Sequence, residues 1–500
     1  MRKPFTAKGH SCCFYVYYPP VLSGRERTRV CQRLAMAFII AGALTPAVAN
    51  ANPEPAAYDT RSISMGLAGT SFLERPSALV LNPANMEGIK KLGFTLNFTG
   101  IFTRQIAPVQ GPNTRGSSRL GFGPLPSVFI AGRIAPRVVF ASGIYMETGY
   151  GSSFDNVVCL DGDEVVGGVP DTDPSTCTND EAQNLDVRFF VGEFSVGTSI
   201  RVTDEFWLGV ALRLPFSKQV ADLWQNVGAA LDFFRYDRVK NDLGGVGFPS
   251  PRIGLTYKPH RKVGIGVMYR MWSTIKLTGT TETSLITNPD GSPLTLDATA
   301  DWYVPHALQF GVAYQANSRL LLAWELRIQF HGADKHGNKN QTVVATDPNG
   351  MLPTFPTVVP FGWVNAYSAK FGVEYRFKKE LLAFRGGFNI GNSATSAPWA
   401  QYFTPAPGVA TDLTAGLGFY WNDRNDPSVK DKYMLDIGTV FAYSGSRIGD
   451  EYIGTDAQVP GKGPTDVVTL CSRDQVVRTG CPGQYQVFSY WASASFTLQY

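Results

Sequence analysis

The stretch Gln486 to Tyr500, QVFSYWASASFTLQY, decides the fold class. Counted back from Tyr500, the residues Leu498, Phe496, Ala494, Ala492, Tyr490 and Phe488 are apolar or aromatic. Between them stand Gln499, Thr497, Ser495, Ser493 and Ser489, all polar. A repeat of two belongs to a strand, because successive side chains leave opposite faces. An uncovered edge of this length invites pairing with other chains, so the strand needs a neighbour on each side. A sheet closed on itself supplies both, and in lipid closure is compulsory, since no water is present to satisfy free N–H and C=O groups. Taken alone, the stretch also fits an edge strand of a soluble sandwich.

Composition narrows the choice. The 500 residues are 17% charged and 12% aromatic with 51 glycines, a mixture too apolar for disorder. After Ala49 no run reaches the roughly 18 consecutive apolar residues of a membrane-spanning helix, which excludes a helical bundle in the bilayer.

At the N-terminus Arg25, Arg27, Arg29 and Arg33 precede the apolar run Leu34 to Leu44, and Pro46 to Ala51 offers small residues at signal-peptidase spacing. A secretory signal with a long n-region is therefore expected over residues 1–51, cleaved after Ala49 or Ala51. That segment holds seven basic residues and one acidic, so the formal charge of +4 falls to about −2 beyond it. The basicity belongs to the leader and gives no reason to expect nucleic acid as a partner.

Beyond the leader stand Cys159, Cys177, Cys471 and Cys481. An even number in an exported chain implies disulfides. Local pairing, Cys159 with Cys177 and Cys471 with Cys481, is expected because each pair falls within one polar, turn-rich stretch; the other pairings stay open. Metal ligation is the weaker reading, as there is no CxxC and no His beside either pair.

Residues 52–90 are punctuated by Gly, Pro and Asn and read as compact and irregular, with short helical pieces such as Ser77 to Leu81. From residue 91 to 500 the pattern is strands, at about 92–104, 124–134, 137–148, 187–202, 206–216, 251–258, 263–277, 305–314, 319–331, 365–376, 381–391, 411–421, 432–443 and 486–500. Their connections alternate strictly between short and long, the asymmetry of outer-membrane barrels, and an aromatic last residue resembles their closing strand. Faces agree: Leu322, Trp324, Leu326, Ile328 and Phe330 alternate with Ala323, Glu325, Arg327 and Gln329. Lipid outside and a polar bore inside account for both faces. The expected fold is thus an all-β, 14-stranded antiparallel transmembrane β-barrel with a small N-terminal plug of short helices.

Gly66-Leu67-Ala68-Gly69-Thr70 followed by Leu81-Asn82-Pro83-Ala84-Asn85 resembles the start of the FadL family of outer-membrane long-chain fatty acid and hydrocarbon transporters. The stretches Pro126 to Gly151, His306 to Tyr314 and Ala383 to Gly391 with the Pro-rich loop after it are similar to family patterns too, and the resemblance spans Tyr58 to Tyr500. The chain departs from the pattern in its two loop Cys pairs and in long outer loops. The resemblance implies a hatch at the periplasmic end of the barrel with Asn82, Pro83 and Ala84 as its latch; read from the residues alone, Asn-Pro is a simple turn. It also implies a kink in the third strand that opens a lateral exit, for which Gly143 is the candidate.

A hydrophobic solute needs an apolar capture site, since each buried CH₂ contributes about 0.8 kcal/mol. In residues 217–250 the positions Val220, Leu223, Trp224, Val227, Leu231 and Phe234 share one helical face and are the candidate for an outer-loop ligand groove; the plainer reading is packing against other loops. Inward-facing Arg201, Arg213, Arg327, Lys370, Arg376 and Arg385 stand with Glu147, Glu193, Glu325, Glu374 and Asp436, mostly as mutual ion pairs. Arg213, Arg327 or Arg385 could hold a carboxylate head group.

HExxH, GxSxG and Walker-type patterns are lacking, so an enzyme, a cofactor or a metal is not expected. The function expected is passive, inward diffusion of long-chain fatty acids or related hydrocarbons through a plugged monomeric barrel in the bacterial outer membrane. Outer-membrane lipid, lipopolysaccharide and the barrel assembly machinery are the expected partners. The alternative is a non-transporting surface protein, an adhesin or phage receptor.

Overall fold

The computed structural model describes residues 57–109, 111–159, 182–226, 236–288, 290–377, 381–421, 432–471 and 479–500. The expected signal segment, Val227, Leu231, Phe234 and Cys177 lie outside them, and of Trp224 and Cys159 only the backbone is described.

Residues 57–90 carry two short helices, α1 (Thr60–Ile63) and α2 (Ala78–Leu81), and a 3₁₀ turn over Pro83–Gly88. The strands begin with β1 (Leu92–Ala107), β2 (Gly116–Ser117), β3 (Gly121–Ala135), β4 (Val138–Cys159), β5 (Ala182–Arg201), β6 (Phe206–Asn226), β7 (Tyr236–Val246) and β8 (Ser250–His260). There follow β9 (Val263–Arg270), β10 (Ser273–Thr287), β11 (Pro293–Val304), β12 (Ala307–Gln315), β13 (Leu320–Gln329), β14 (Asn340–Thr346) and β15 (Phe355–Pro360). The last are β16 (Ala366–Arg376), β17 (Leu382–Asn392), β18 (Val409–Trp421), β19 (Tyr433–Ile448), β20 (Asp456–Gln458), β21 (Val467–Thr469) and β22 (Gly483–Gln499).

Fourteen of these, β1, β3 to β6, β8, β9, β12, β13, β16 to β19 and β22, pair antiparallel into a closed wall. Closure is made by β22 on β1, in register from Gly93↔Gln499 to Ile106↔Gln486. Thr95, Asn97, Thr99, Ser493, Ser495 and Thr497 face inward and are buried. Outward, Phe496 is 38% and Trp324 40% exposed, so the apolar face is the one turned away from the protein. That arrangement suits lipid and rules out a sandwich core for these side chains.

The stretches between wall strands are more regular than their composition indicates. The strand expected at 263–277 leaves the wall at Arg270, and its continuation β10 pairs with β7 and β11. Further pairs, β11 with β14 and β14 with β15, extend this upper sheet. Among the described residues the helix expected from Val220 is replaced by strand: β6 runs on to Asn226, bonded to β5 on one side, Asp186↔Asp222, and to β7 on the other, Asn226↔Tyr236. Up to Asp222 the segment has a strand partner on each side, and from Leu223 to Asn226 it keeps β7, ladders that a lone helix on a loop tip has no packing to outweigh. Leu223 faces the lumen within a buried apolar cluster, and Val220 lies on the opposite face of the strand.

Candidate functional site

The plug fits the wall through residues without side chains. A Cβ on Gly254 of β8 would overlap Asn82 Oδ1, and one on Gly209 of β6 would overlap the backbone of Pro83 and Ala84. Asn82 is fully buried and caps the 3₁₀ turn by accepting from Ala84 N at 3.1 Å. Its Nδ2 donates to the carbonyls of Thr70 (2.7 Å) and Leu255 (3.0 Å) and to Thr256 Oγ1 (3.0 Å). The Asn-Pro-Ala triplet therefore joins two segments of the plug to a wall strand. Glu325 of β13 accepts from the backbone N–H groups of Gly69 (3.0 Å) and Thr70 (2.9 Å), fixing the second conspicuous stretch of the plug.

Charge holds the rest. Plug Arg61 makes a bidentate pair with wall Glu374, both contacts 2.8 Å. Plug Arg75 reaches Asp436 at 2.6 Å and Asp59 at 3.5 Å. Burial by itself would lower the Arg75 guanidinium, but Asp436 and Asp59 outweigh it and hold its pKa above the ordinary value. Arg385 bonds to Glu374 (2.7 Å) and to Asp436 (2.8 Å).

Above the plug lies a second ionic layer. Arg213, Arg252 and Arg270 are all buried and face Glu147, Glu193 and Tyr145. Arg213 also donates to Ser250 Oγ (2.6 Å) and the Met271 carbonyl (2.7 Å). Of the arginines considered for a head group, Arg213 and Arg385 are thus engaged by wall carboxylates; Arg327 is buried on the same face of β13 as Glu325.

Further along β4 the lumen turns aromatic. The Tyr150 ring lies 4.8 Å from Phe189, 5.9 Å from Trp302 and 5.7 Å from Trp363. Trp302 meets Phe361 and Trp363 nearly edge-on, at 85° and 88°. A narrow crevice of about 10 Å³ beside them, the size of a single water, is lined by Thr148, Tyr150, Trp302, His331, Asn338 and Trp363 among others. Trp363 Nε1 and Thr148 Oγ1 are buried there without a hydrogen-bond partner among the described residues. The rings are packed against one another, so the cluster lines the lumen with apolar surface and carries one unpartnered indole donor.

The wall changes beside this cluster. At Gly143, the candidate exit, it is continuous, with Phe129↔Gly143 on one side and Gly143↔Ser195 on the other, and a Cβ there would strike the Phe129 ring. The small residue makes room for a ring rather than an opening. Two residues later the pairing of β3 with β4 stops, at Ser127↔Tyr145. Beyond it β3 presents Pro126 and Pro124, which have no N–H, while β3 continues to pair with β1 through both. The donors missing from β3 are therefore those that would face β4. In β4 the register on β5 shifts at Glu147, whose side chain turns inward to Arg270, and Glu147 to Ser152 are all buried. Contact between the two strand regions resumes where Arg119 N donates to the Ser153 carbonyl at 2.8 Å.

Opposite the plug, residues 393–408 fold into the mouth as a lid. Its carbonyls at Tyr402, Thr404 and Ala406 accept from Ser152 (2.8 Å), Gln105 (3.0 Å) and Ser444 (2.9 Å). Gly362 has φ +54°, and a Cβ on it would run into the Trp399 ring, so glycine lets the lid close over the aromatic cluster. Cys471 and Cys481 form a disulfide, and Gly480 next to it donates to the Ala400 carbonyl at 2.9 Å.

A closed wall of fourteen antiparallel strands with short helices near the N-terminus has counterparts among solved structures. The chain has the fold of FadL-type barrels. It superposes on a Pseudomonas aeruginosa FadL homologue with a TM-score of 0.64 at 15% identity, covering 91% of this chain and 99% of that one. The Ralstonia pickettii toluene transporter TbuX gives 0.62 at 17% identity, covering 89% and 99%. The P. putida toluene transporter TodX gives 0.62 at 15% identity over the same shares, 89% and 99%. No family model and no curated sequence matches the chain. At these identities the likeness is one of fold.

Sequence reasoning missed the aromatic cluster. Its members sit on β4, β5, β11 and the segment after β15, and only the barrel brings them together. Part of the signal was present: Leu296, Ala298, Ala300 and Trp302 alternate with Asp297, Thr299 and Asp301, a strand read as loop.

Proposed function

We propose that the chain belongs to the FadL family and is an outer-membrane channel that takes hydrophobic compounds, long-chain fatty acids or related hydrocarbons, into the lumen by passive diffusion and releases them sideways into the bilayer. The observation that carries this reading is the unpaired length of β3 and β4 with the aromatic cluster directly behind it. A solute that leaves through the wall beyond Glu147 stays in a largely apolar medium and does not have to cross the buried ionic layers, whose desolvated charges favour water or counter-charges over grease. The fold shared with the toluene transporters supports the same reading.

The plug is then a stopper that lets no aqueous path form, and its latch is Asn82-Pro83-Ala84. Leu223, on the lumen face of β6, belongs to the apolar lining rather than to an outer helical groove.

Restoring the missing donors tests the route. Pro124→Val with Pro126→Val gives β3 two N–H groups facing β4 and should lower uptake of a radiolabelled hydrophobic probe by cells at least severalfold, with heat-modifiable mobility on gels unchanged. Uptake at the wild-type rate in a correctly folded double variant would remove the lateral route.

A further inference from the structure

The end of the barrel that holds the plug contains a separate cavity of about 370 Å³, between the plug and the lower ends of β8, β9, β12 and β13. Its floor is apolar, formed by Phe72, Val263, Ala313, Leu321 and Met434. Seven of its lining residues are cationic and one, Glu74, is acidic, beside the neutral Ser71, Gln315 and Gln499.

The cations fall into two groups. The inner ones are answered: Arg61 by Glu374 at 2.8 Å, Arg75 by Asp436 at 2.6 Å, Arg376 by Glu374 at 3.2 Å. Lys258 at the rim is paired with Glu74. Lys90, Arg261 and Lys262 are exposed on the rim and have no carboxylate partner among the described residues. Like charges gathered around a concave, partly apolar mouth concentrate a positive potential there and attract anions. Volume places the cavity within the roughly 300–1,000 Å³ range of small-molecule sites.

We propose that this vestibule binds an anionic amphiphile, with a carboxylate or phosphate head among Lys90, Arg261 and Lys262 and a short apolar body against Phe72, Leu321 and Met434. The floor supplies the affinity for the body, at about 0.8 kcal/mol for each CH₂ covered. The rim supplies selectivity for charge. The same head chemistry belongs to free fatty acids and to phospholipids of the facing leaflet, and the two head types are separated by the probes.

The purified chain in a non-ionic detergent is titrated calorimetrically with octanoate, octyl phosphate, octan-1-ol and inorganic phosphate. Octanoate or octyl phosphate should bind, and the triple variant Lys90→Ser, Arg261→Ser, Lys262→Ser should weaken that binding roughly tenfold, about 1.4 kcal/mol, while octan-1-ol is unaffected. Preference for octanoate assigns the site to free carboxylates, and preference for octyl phosphate assigns it to lipid head groups; either supports the proposal. A diazirine-bearing octanoate should label peptides containing Phe72, Leu321 or Met434. Should the triple variant misfold, raising ionic strength on the wild-type chain replaces it and should weaken octanoate alone. Unchanged octanoate affinity without the rim charges, inorganic phosphate binding as tightly as octyl phosphate, or labelling confined to peptides of the aromatic cluster would each overturn it. None of the probes has to cross the barrel, so the result is independent of whether the lateral route holds.

Discussion

Ser152 donates to the Tyr402 carbonyl at 2.8 Å, which ties the lid in the mouth to the wall strand that has lost its neighbour. Ser152 marks the far end of the unpaired length of β4, and Tyr402 packs in the lid 6.2 Å from Phe154 on the same strand. Lid and strand are therefore one mechanical unit. Ser152→Ala removes the donor and should cost about 1 kcal/mol locally. Hydrogen exchange followed by mass spectrometry should show faster exchange in peptides covering Gly149–Ser153 and Gln401–Thr404, with β8 and β9 unchanged. Acceleration confined to one of the two segments would show that they move independently.

Asn82 makes the most connections of any plug side chain described above. Asn82→Ala removes the bonds to Thr70, Leu255 and Thr256, at about 1 kcal/mol each, while the Thr70 carbonyl keeps Asn85 Nδ2 at 3.0 Å. The plug then sits less firmly against Gly254, and ion conductance across planar bilayers should rise above the wild-type background. Asn82→Asp, which keeps the cap on Ala84 N but turns an acceptor toward the Thr70 and Leu255 carbonyls in a buried place, should loosen the plug at least as much as Asn82→Ala.

Cys471 and Cys481 close a short loop, and such a cross-link contributes on the order of 3 kcal/mol by restricting the unfolded chain. Because Gly480 holds the Ala400 carbonyl, the effect of Cys471→Ser should be felt in the lid first. Proteolysis of intact cells should cut the lid region faster in this variant, while the temperature at which the barrel itself unfolds on gels should fall by less.

How legible each part was depends on whether its partner was near in sequence or far. Phe496 and Trp324 announce their outward faces through strict alternation, because lipid imposes one rule along the whole strand. The rule fails for Val220, Leu223 and Trp224, since positions i, i+3 and i+4 include residues that also suit two strand faces, and only β5 and β7 decide between them. Glu147 and Arg270 lie 123 positions apart, and nothing local marks them as neighbours. Pro124 and Pro126 are legible, since two prolines at alternate positions of a strand mark an edge, whereas Gly143 alone does not distinguish a gap in pairing from room for a neighbouring ring. The plug's fit could be read only in outline, because Gly209 and Gly254 gain meaning from the Asn-Pro-Ala turn that rests on them.

Asp436 is the anion shared by the plug and the wall, accepting from Arg75 at 2.6 Å and from Arg385 at 2.8 Å in a place closed to water. Asp436→Asn keeps the shape but removes the charge, so two buried guanidiniums lose a common partner. Removal of one member of a buried pair costs about 3–5 kcal/mol. The barrel should accordingly unfold at a lower temperature in detergent, and conductance should rise as the plug loosens. Adding Arg75→Met, which withdraws a cation and fills its volume with an apolar chain, should recover part of the stability but not the plug's attachment. Two quantities are therefore expected to part company in the double variant: the unfolding temperature moves back toward wild type, and the conductance stays high. If both recovered together, Arg75 would be a burden on the fold rather than the plug's tether to the wall.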